Sequence, residues 1–267
     1  MAETLCHPGA ADGPRLMLAP TRVERLQIAL AADIPIHDAI LGALDGADSA
    51  WITLHGGRGD LRFVLPDRSR DGVHGAWYSA PHDLTDAVIH RAGIVWGRRD
   101  GRAFGHCHGL WDKAMGHLLL EDTVLTHPVQ AEAWLFGDAV FEAGPDAETA
   151  FTLFKPRGMP VDRPEAALLR IAPHVELAEG LREAMDRLGW EHARLAGLGS
   201  LNTARFDNGE VLDSHASEFL VRDGWIDRRD ARAEIDIVGI GGARAGGKLS
   251  LTQNPVCVTA ELILLKS

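Results

Sequence analysis

Gly105-His106-Cys107-His108-Gly109-Leu110-Trp111-Asp112-Lys113-Ala114-Met115-Gly116-His117-Leu118 places three imidazoles within twelve residues of a 267-residue chain. On an extended strand alternate side chains share a face, so His106 and His108 point one way and Cys107 the other. Asp112, Lys113 and Gly116 supply turn chemistry, so a hairpin returns His117 beside the first two histidines. Three nitrogen ligands leave one position of a tetrahedral ion open, and that opening distinguishes a catalytic zinc from a structural one closed by four protein ligands. The stretch therefore reads both as strand, turn, strand and as a candidate metal centre. Its plainer reading is a solvated histidine-rich hairpin.

Outward from this hairpin the chain repeats a pattern. In Asp33 to Leu44, the residues Ile36, Ala39, Ile40, Ala43 and Leu44 share one helical face, with Pro35 near the start and Gly46 past the end. From Pro173 onward Leu177, Leu181, Ala184, Met185 and Leu188 do the same, stopping at Gly189. Each helix leads into a short strand, Trp51 to Leu54 and Ala193 to Ala196, followed by a glycine turn at His55-Gly56-Gly57 and Gly197-Leu198-Gly199. Each half also closes on a strand after a proline, Pro128 to Leu135 and Pro255 to Leu262. Turn signals at Arg99-Asp100-Gly101, Asn208-Gly209 and Asp223-Gly224 separate further strands. The expected class is α+β, two similar units each with a largely antiparallel sheet and one main helix. The expected boundaries are a flexible tail at 1–20, a first unit at 21–155 carrying the histidines, a linker at 156–166 rich in proline and glycine, and a second unit at 167–267. The second unit is expected to fold in isolation.

The composition, 46% apolar with a net charge of −11 and a pI near 5.6, allows substantial cores and disfavours phosphate backbones and anionic membranes as partners. Cys6, Cys107 and Cys257 are odd in number and scattered, which argues against a disulfide framework and for a reducing, cytoplasmic setting. The tail, His7 included, is expected to be solvated, and no run approaches membrane-spanning length. There is no phosphate loop, no dinucleotide fingerprint, no His-Glu-X-X-His helix and no nucleophile elbow around Ser200.

His106-Cys107-His108 with Gly116-His117-Leu118, and Leu168-Leu-Arg-Ile-Ala172 with Ala196-Gly-Leu-Gly-Ser-Leu201, resemble the plant-and-prokaryote conserved (PPC) domain, here in tandem. The pattern is more distantly similar to acetolactate decarboxylase, a metalloenzyme of two related domains. The resemblance implies that His106, His108 and His117 bind a metal, generally zinc or another divalent transition metal, and that the chain forms a homo-oligomer, trimeric in the relatives. In the plant relatives the domain accompanies DNA-binding hooks. This chain lacks the hook, and its basic cluster Arg98, Arg99 and Arg102 is small, so nucleic acid is expected to be an unlikely partner. The second unit departs from the metal pattern, with Glu234-Ile-Asp236 and Lys248 where imidazoles would fall. These read as a surface ion pair, and the unit as scaffold.

Three more residues are candidates. His55 lies in a glycine turn where backbone approaches a ligand closely, Arg58 could clamp a substrate carboxylate, and Glu132 on the strand after the hairpin could serve as acid or base. The leading expectation is a zinc-dependent lyase, decarboxylase or hydrolase acting on a small carboxylic acid. The alternatives are a DNA-binding regulator of the PPC class and a non-catalytic, metal-stabilised binding module.

Overall fold

The computed structural model describes residues 4–227 and 230–267, and among them it is built mostly of antiparallel β-sheet with two α-helices. Two sheets lie face to face. In the first, of ten strands, the long strand His82–Arg99 pairs with Ala50–Leu54 on one side and Arg102–Trp111 on the other, while its beginning pairs with Arg58–Val64. The second, of seven strands, runs Leu16–Thr21, Ala166–Ile171, Val256–Lys266, His192–Leu201, Ser217–Asp227, Ala231–Gly239 and Arg244–Lys248.

The alternation of side chains along each strand sorts the apolar residues into three slabs. Ile52, Ile94, Trp96 and Cys107 face outward from the first sheet and bury Ile36, Ala39 and Ile40 of helix α1 (Ile36–Ala43). Leu169, Ile171, Leu262 and Leu264 face outward from the second sheet and bury Leu177, Leu181, Ala184 and Met185 of helix α2 (Leu177–Leu188). The alternate residues on the inner faces, Trp51, Val95 and Trp134 against Leu168, Leu198, Leu220, Ile263 and Leu265, meet in one core between the sheets. The result is four layers, helix, sheet, sheet, helix. Both helices end as their sequences direct: Gly189 adopts left-handed φ +64°, and Trp190 donates its N–H back to the Met185 carbonyl.

Several boundaries differ from expectation. Leu16–Thr21, placed in the tail by the sequence, pairs along its whole length with Ala166–Ile171 and forms an edge of the second sheet. Leu5 is 1% exposed, and the His7 ring hydrogen-bonds the Cys257 carbonyl at 2.8 Å, so the tail is docked from residue 5 onward. The expected linker begins later than residue 156, because Thr152–Gly158 is a strand paired with Ala139–Pro145. The glycine signals at 197–199 and 223–224 are strand irregularities, with register shifts between Arg194 and Leu198 and between Val221 and Asp223. At Gly197 and Gly199 a Cβ would fall 2.3 Å from the Glu261 carbonyl oxygen and 2.6 Å from that of Thr259, so these glycines let Val256–Lys266 come close. The two sheets are also unequal in strand number and share a core, where two self-contained units were expected. No described helix is long and apolar enough to cross a membrane.

A candidate metal centre between the sheets

The hairpin forms as its sequence dictates. Asp112, at φ +45°, turns the chain between Arg102–Trp111 and Ala114–Leu118, and His108 comes to lie directly opposite His117 in the ladder. Strand alternation sends His106 and His108 into the space between the sheets and Cys107 into the core under α1. One ring nitrogen from each of His106, His108 and His117 lies within 4.8 Å of the others.

The facing sheet orients the rings. Glu261 accepts a hydrogen bond from His106 Nδ1 at 2.8 Å, and the Phe219 carbonyl accepts one from His108 Nδ1 at 2.9 Å. Both rings therefore present Nε2 to each other, at 3.1 Å. Carboxylate and carbonyl partners of this kind fix tautomer and ring orientation in metal-ligating histidines. Glu218, one residue before Phe219, brings Oε1 to 3.7 Å from His108 Nε2 and 3.8 Å from His117 Nδ1.

Two observations test whether this set fits a divalent cation. His117 Nδ1 and Glu218 Oε2 are buried polar atoms with no hydrogen-bond partner, an arrangement that costs stability unless something binds there. Burial and the neighbouring imidazoles also hold His108 and His117 well below the usual histidine range, so both are neutral near pH 7, as a metal ligand must be. The donor set of three imidazoles and a carboxylate suits zinc and other divalent transition metals. The residues fit.

Burial pushes the Glu218 carboxyl up to about 8. Its folded value thus lies above its unfolded one, and the folded state holds a proton between about 4.5 and 8 that the unfolded state has released. Stability therefore falls as pH rises through that window. Above pH 6.5 His108 and His117 are largely neutral in both states, so pH 7 to 9 isolates the glutamate. Chelated wild-type protein is expected to lose about 1 kcal/mol, or about 3 °C in Tm, across that interval, whereas the Glu218→Gln protein should not. Equal declines in both, followed by calorimetry, would sink this assignment.

A cavity of about 340 Å³ opens onto the histidines, Glu218 and Glu261, and its wall includes Tyr78, whose ring packs edge-on against His117 at 5.3 Å. The other sequence candidates lie elsewhere. His55 and Glu132 border a separate, smaller pocket, and Glu132 accepts a hydrogen bond from Trp134 Nε1 at 2.6 Å. Arg58 is half exposed and forms an ion pair with Asp86 at 2.5 Å. None of the three borders the histidine cavity. Glu234 and Asp236 pair with Arg222, and Lys248 with Asp207.

Glu218, Glu261 and Tyr78 were missed from sequence. The available signal was a carboxylate inside an apolar strand: Val256–Lys266 is buried almost throughout, yet Glu261 sits in it at 1% exposure. The second sheet is thus more than scaffold, since it supplies both carboxylates and the carbonyl that orients His108.

No family model and no curated protein matches the chain. Part of it is similar in structure to a metal-containing protein from Archaeoglobus fulgidus, with 17% identity, 53% of this chain and 99% of that one covered, and a TM-score of 0.38. Part is similar to a PPC protein from Pyrococcus horikoshii, with 15% identity, 54% and 97% covered, and a TM-score of 0.36. A protein from Ralstonia eutropha JMP134, provisionally described as DNA-binding, shows 15% identity, 55% and 94% covered, and a TM-score of 0.35. Overlaps this partial leave the chemistry to be argued from the chain's own geometry. One expectation is corrected beside these findings: nucleic acid was held an unlikely partner, whereas a protein similar to part of this chain is described as DNA-binding. Net charge averages over a surface, and an acidic total does not prevent a local basic one.

Proposed function

We propose that the chain is a metal-binding protein, with zinc or another divalent transition metal held by His106, His108 and His117, and that its inter-sheet cavity carries lyase, decarboxylase or hydrolase chemistry on a small carboxylic acid. The observation that carries this reading is the convergence of three imidazoles, two of them held by hydrogen bonds from the facing sheet, on an open cavity rather than on a fourth histidine or cysteine that would close the coordination sphere. A bound divalent ion supplies Lewis-acid polarisation of an oxygen atom. The chain's residues do the rest. Glu261 and the Phe219 carbonyl hold the rings of His106 and His108 in one tautomer. Glu218, with Oε2 free of any partner and its side chain shielded from bulk water, is placed to hold or move a proton at that oxygen. Tyr78 walls the site beside His117.

A panel of small carboxylic and hydroxy acids, screened by thermal shift, is expected to raise the Tm of zinc-loaded protein and leave chelated protein unmoved. If no acid distinguishes the two forms and metal removal merely lowers the Tm, the site is structural and the enzymatic reading fails. The second reading is a DNA-binding regulator, taken up because of the description borne by the Ralstonia eutropha protein. A mobility shift with duplex DNA that weakens steeply with salt would favour it.

A further inference from the structure

The same cavity has a body as well as a floor, and its body is aromatic. Of the chain's 16 aromatic residues, counting 8 Phe, 7 Trp and 1 Tyr, five border it: Trp77, Tyr78, Phe104, Phe151 and Phe154. They form two groups. Trp77 stacks on Phe151 at 5.2 Å, and Tyr78 meets Phe151 edge-on at 6.4 Å while packing against His117. Phe104 meets Phe154 at 5.6 Å and carries the Arg99 guanidinium over its ring at 5.4 Å. Trp77 is 42% exposed, although a hydrogen-bonded hairpin partner, Asp67, fixes its backbone. With Tyr78 at 5.9 Å and Phe151 it makes one continuous aromatic surface at the margin of the cavity.

The charges at the two ends point the same way. The floor is placed to take a divalent cation, and Arg99 at the margin has, among the described residues, Asp100 as its ion-pair partner, at 3.9 Å, with that aspartate 92% exposed. On a chain of net charge −11, a cation at each end of one apolar cavity selects an anion that has apolar bulk. The volume of about 340 Å³ admits a ring and a short side chain.

We infer that the ligand of this site is a small aromatic carboxylate, its oxygen atoms toward the histidine cluster and its ring against Tyr78, Phe151 and Phe154, rather than a short polar acid. The inference rests on the metal-centre reading and deepens it. The Phe151 ring supplies the apolar contact, and the divalent cation at the histidine cluster supplies the preference for a carboxylate over a neutral ring.

The experiment is isothermal titration calorimetry on zinc-loaded and chelated protein, with metal content measured first and three probes used: 3-phenylpropionate, propionate and 3-phenylpropan-1-ol. On zinc-loaded protein 3-phenylpropionate is expected to bind at least about tenfold more tightly than propionate, since a phenyl ring leaves water, and more tightly than the alcohol. Phe151→Ser should erase most of the aromatic preference at unchanged metal content. Failure of the protein to hold metal overturns the metal reading and this inference together. Full metal loading with propionate and 3-phenylpropionate bound alike, or with the alcohol matching the acid, overturns the inference and leaves the metal reading standing. Equal affinity of 3-phenylpropionate for chelated protein overturns it as well.

Discussion

His106→Ala/His108→Ala protein is expected to retain no tightly bound divalent ion where the wild type holds one per chain. Closed zinc sites release about 10–16 kcal/mol over four ligands, so each ligand is worth about 2.5–4 kcal/mol, and losing two lowers affinity by roughly four to six orders of magnitude. Both imidazoles offer Nε2, 3.1 Å apart, and are held there from behind by Glu261 and the Phe219 carbonyl. A graded control follows from that support. Glu261→Gln keeps all three imidazoles but weakens the partner of His106, and should cost about 10- to 100-fold in affinity rather than abolish binding. Elemental analysis and competition with a chromogenic chelator read both. Two ions per wild-type chain, or a double variant that still holds its ion, would remove the centre from His106 and His108.

The second large effect concerns the two halves. A fragment of residues 165–267 is expected not to fold as a monomer, which reverses what its own helix and strands suggest. The fragment lacks Leu16–Thr21, the strand that covers the edge of Ala166–Ile171, and it exposes the inner face of its sheet. Leu168, Leu198, Leu220, Val238, Ile263 and Leu265 are each fully buried there against the first sheet. At about 1.5–3 kcal/mol per large apolar side chain, six of them are worth on the order of 10 kcal/mol, comparable with the entire stability of a domain. The bare edge and face together also invite aggregation. Circular dichroism and size-exclusion chromatography of the fragment decide the matter, and a cooperatively melting monomer would show that each sheet carries its own core.

Both effects arise from the same arrangement. The proposed metal centre, with its ligands on one sheet and their orienting groups on the other, would be assembled only when the sheets are packed together. Loss of inter-sheet packing should therefore remove the metal even with all three histidines intact. The half-buried His106, leaning on Glu261 from the facing strand, is the point where packing and coordination meet.

What could be read from the chain alone was local. The alternation His106-Cys107-His108 with a turn at Asp112 specified a hairpin bearing three imidazoles on one face, because strand period and turn chemistry act over a few residues. The apolar spacing of Ile36 to Leu44 and of Leu177 to Leu188, with Gly189 as stop, specified two helices for the same reason. The tertiary structure alone decided what faces the histidines. Glu218 and Glu261 stand 112 and 155 residues beyond His106, and no local pattern couples positions so far apart. Local residue chemistry, a glycine turn at His55, a guanidinium at Arg58 and a carboxylate on the strand after the hairpin at Glu132, favoured those three instead, and they lie outside the histidine cavity. Leu16–Thr21 carries no clear strand alternation of its own, and only the free edge of Ala166–Ile171 makes it a strand and determines which sheet it joins. Local sequence sets the conformation of an element, and the burial of its apolar face against a distant partner sets its place.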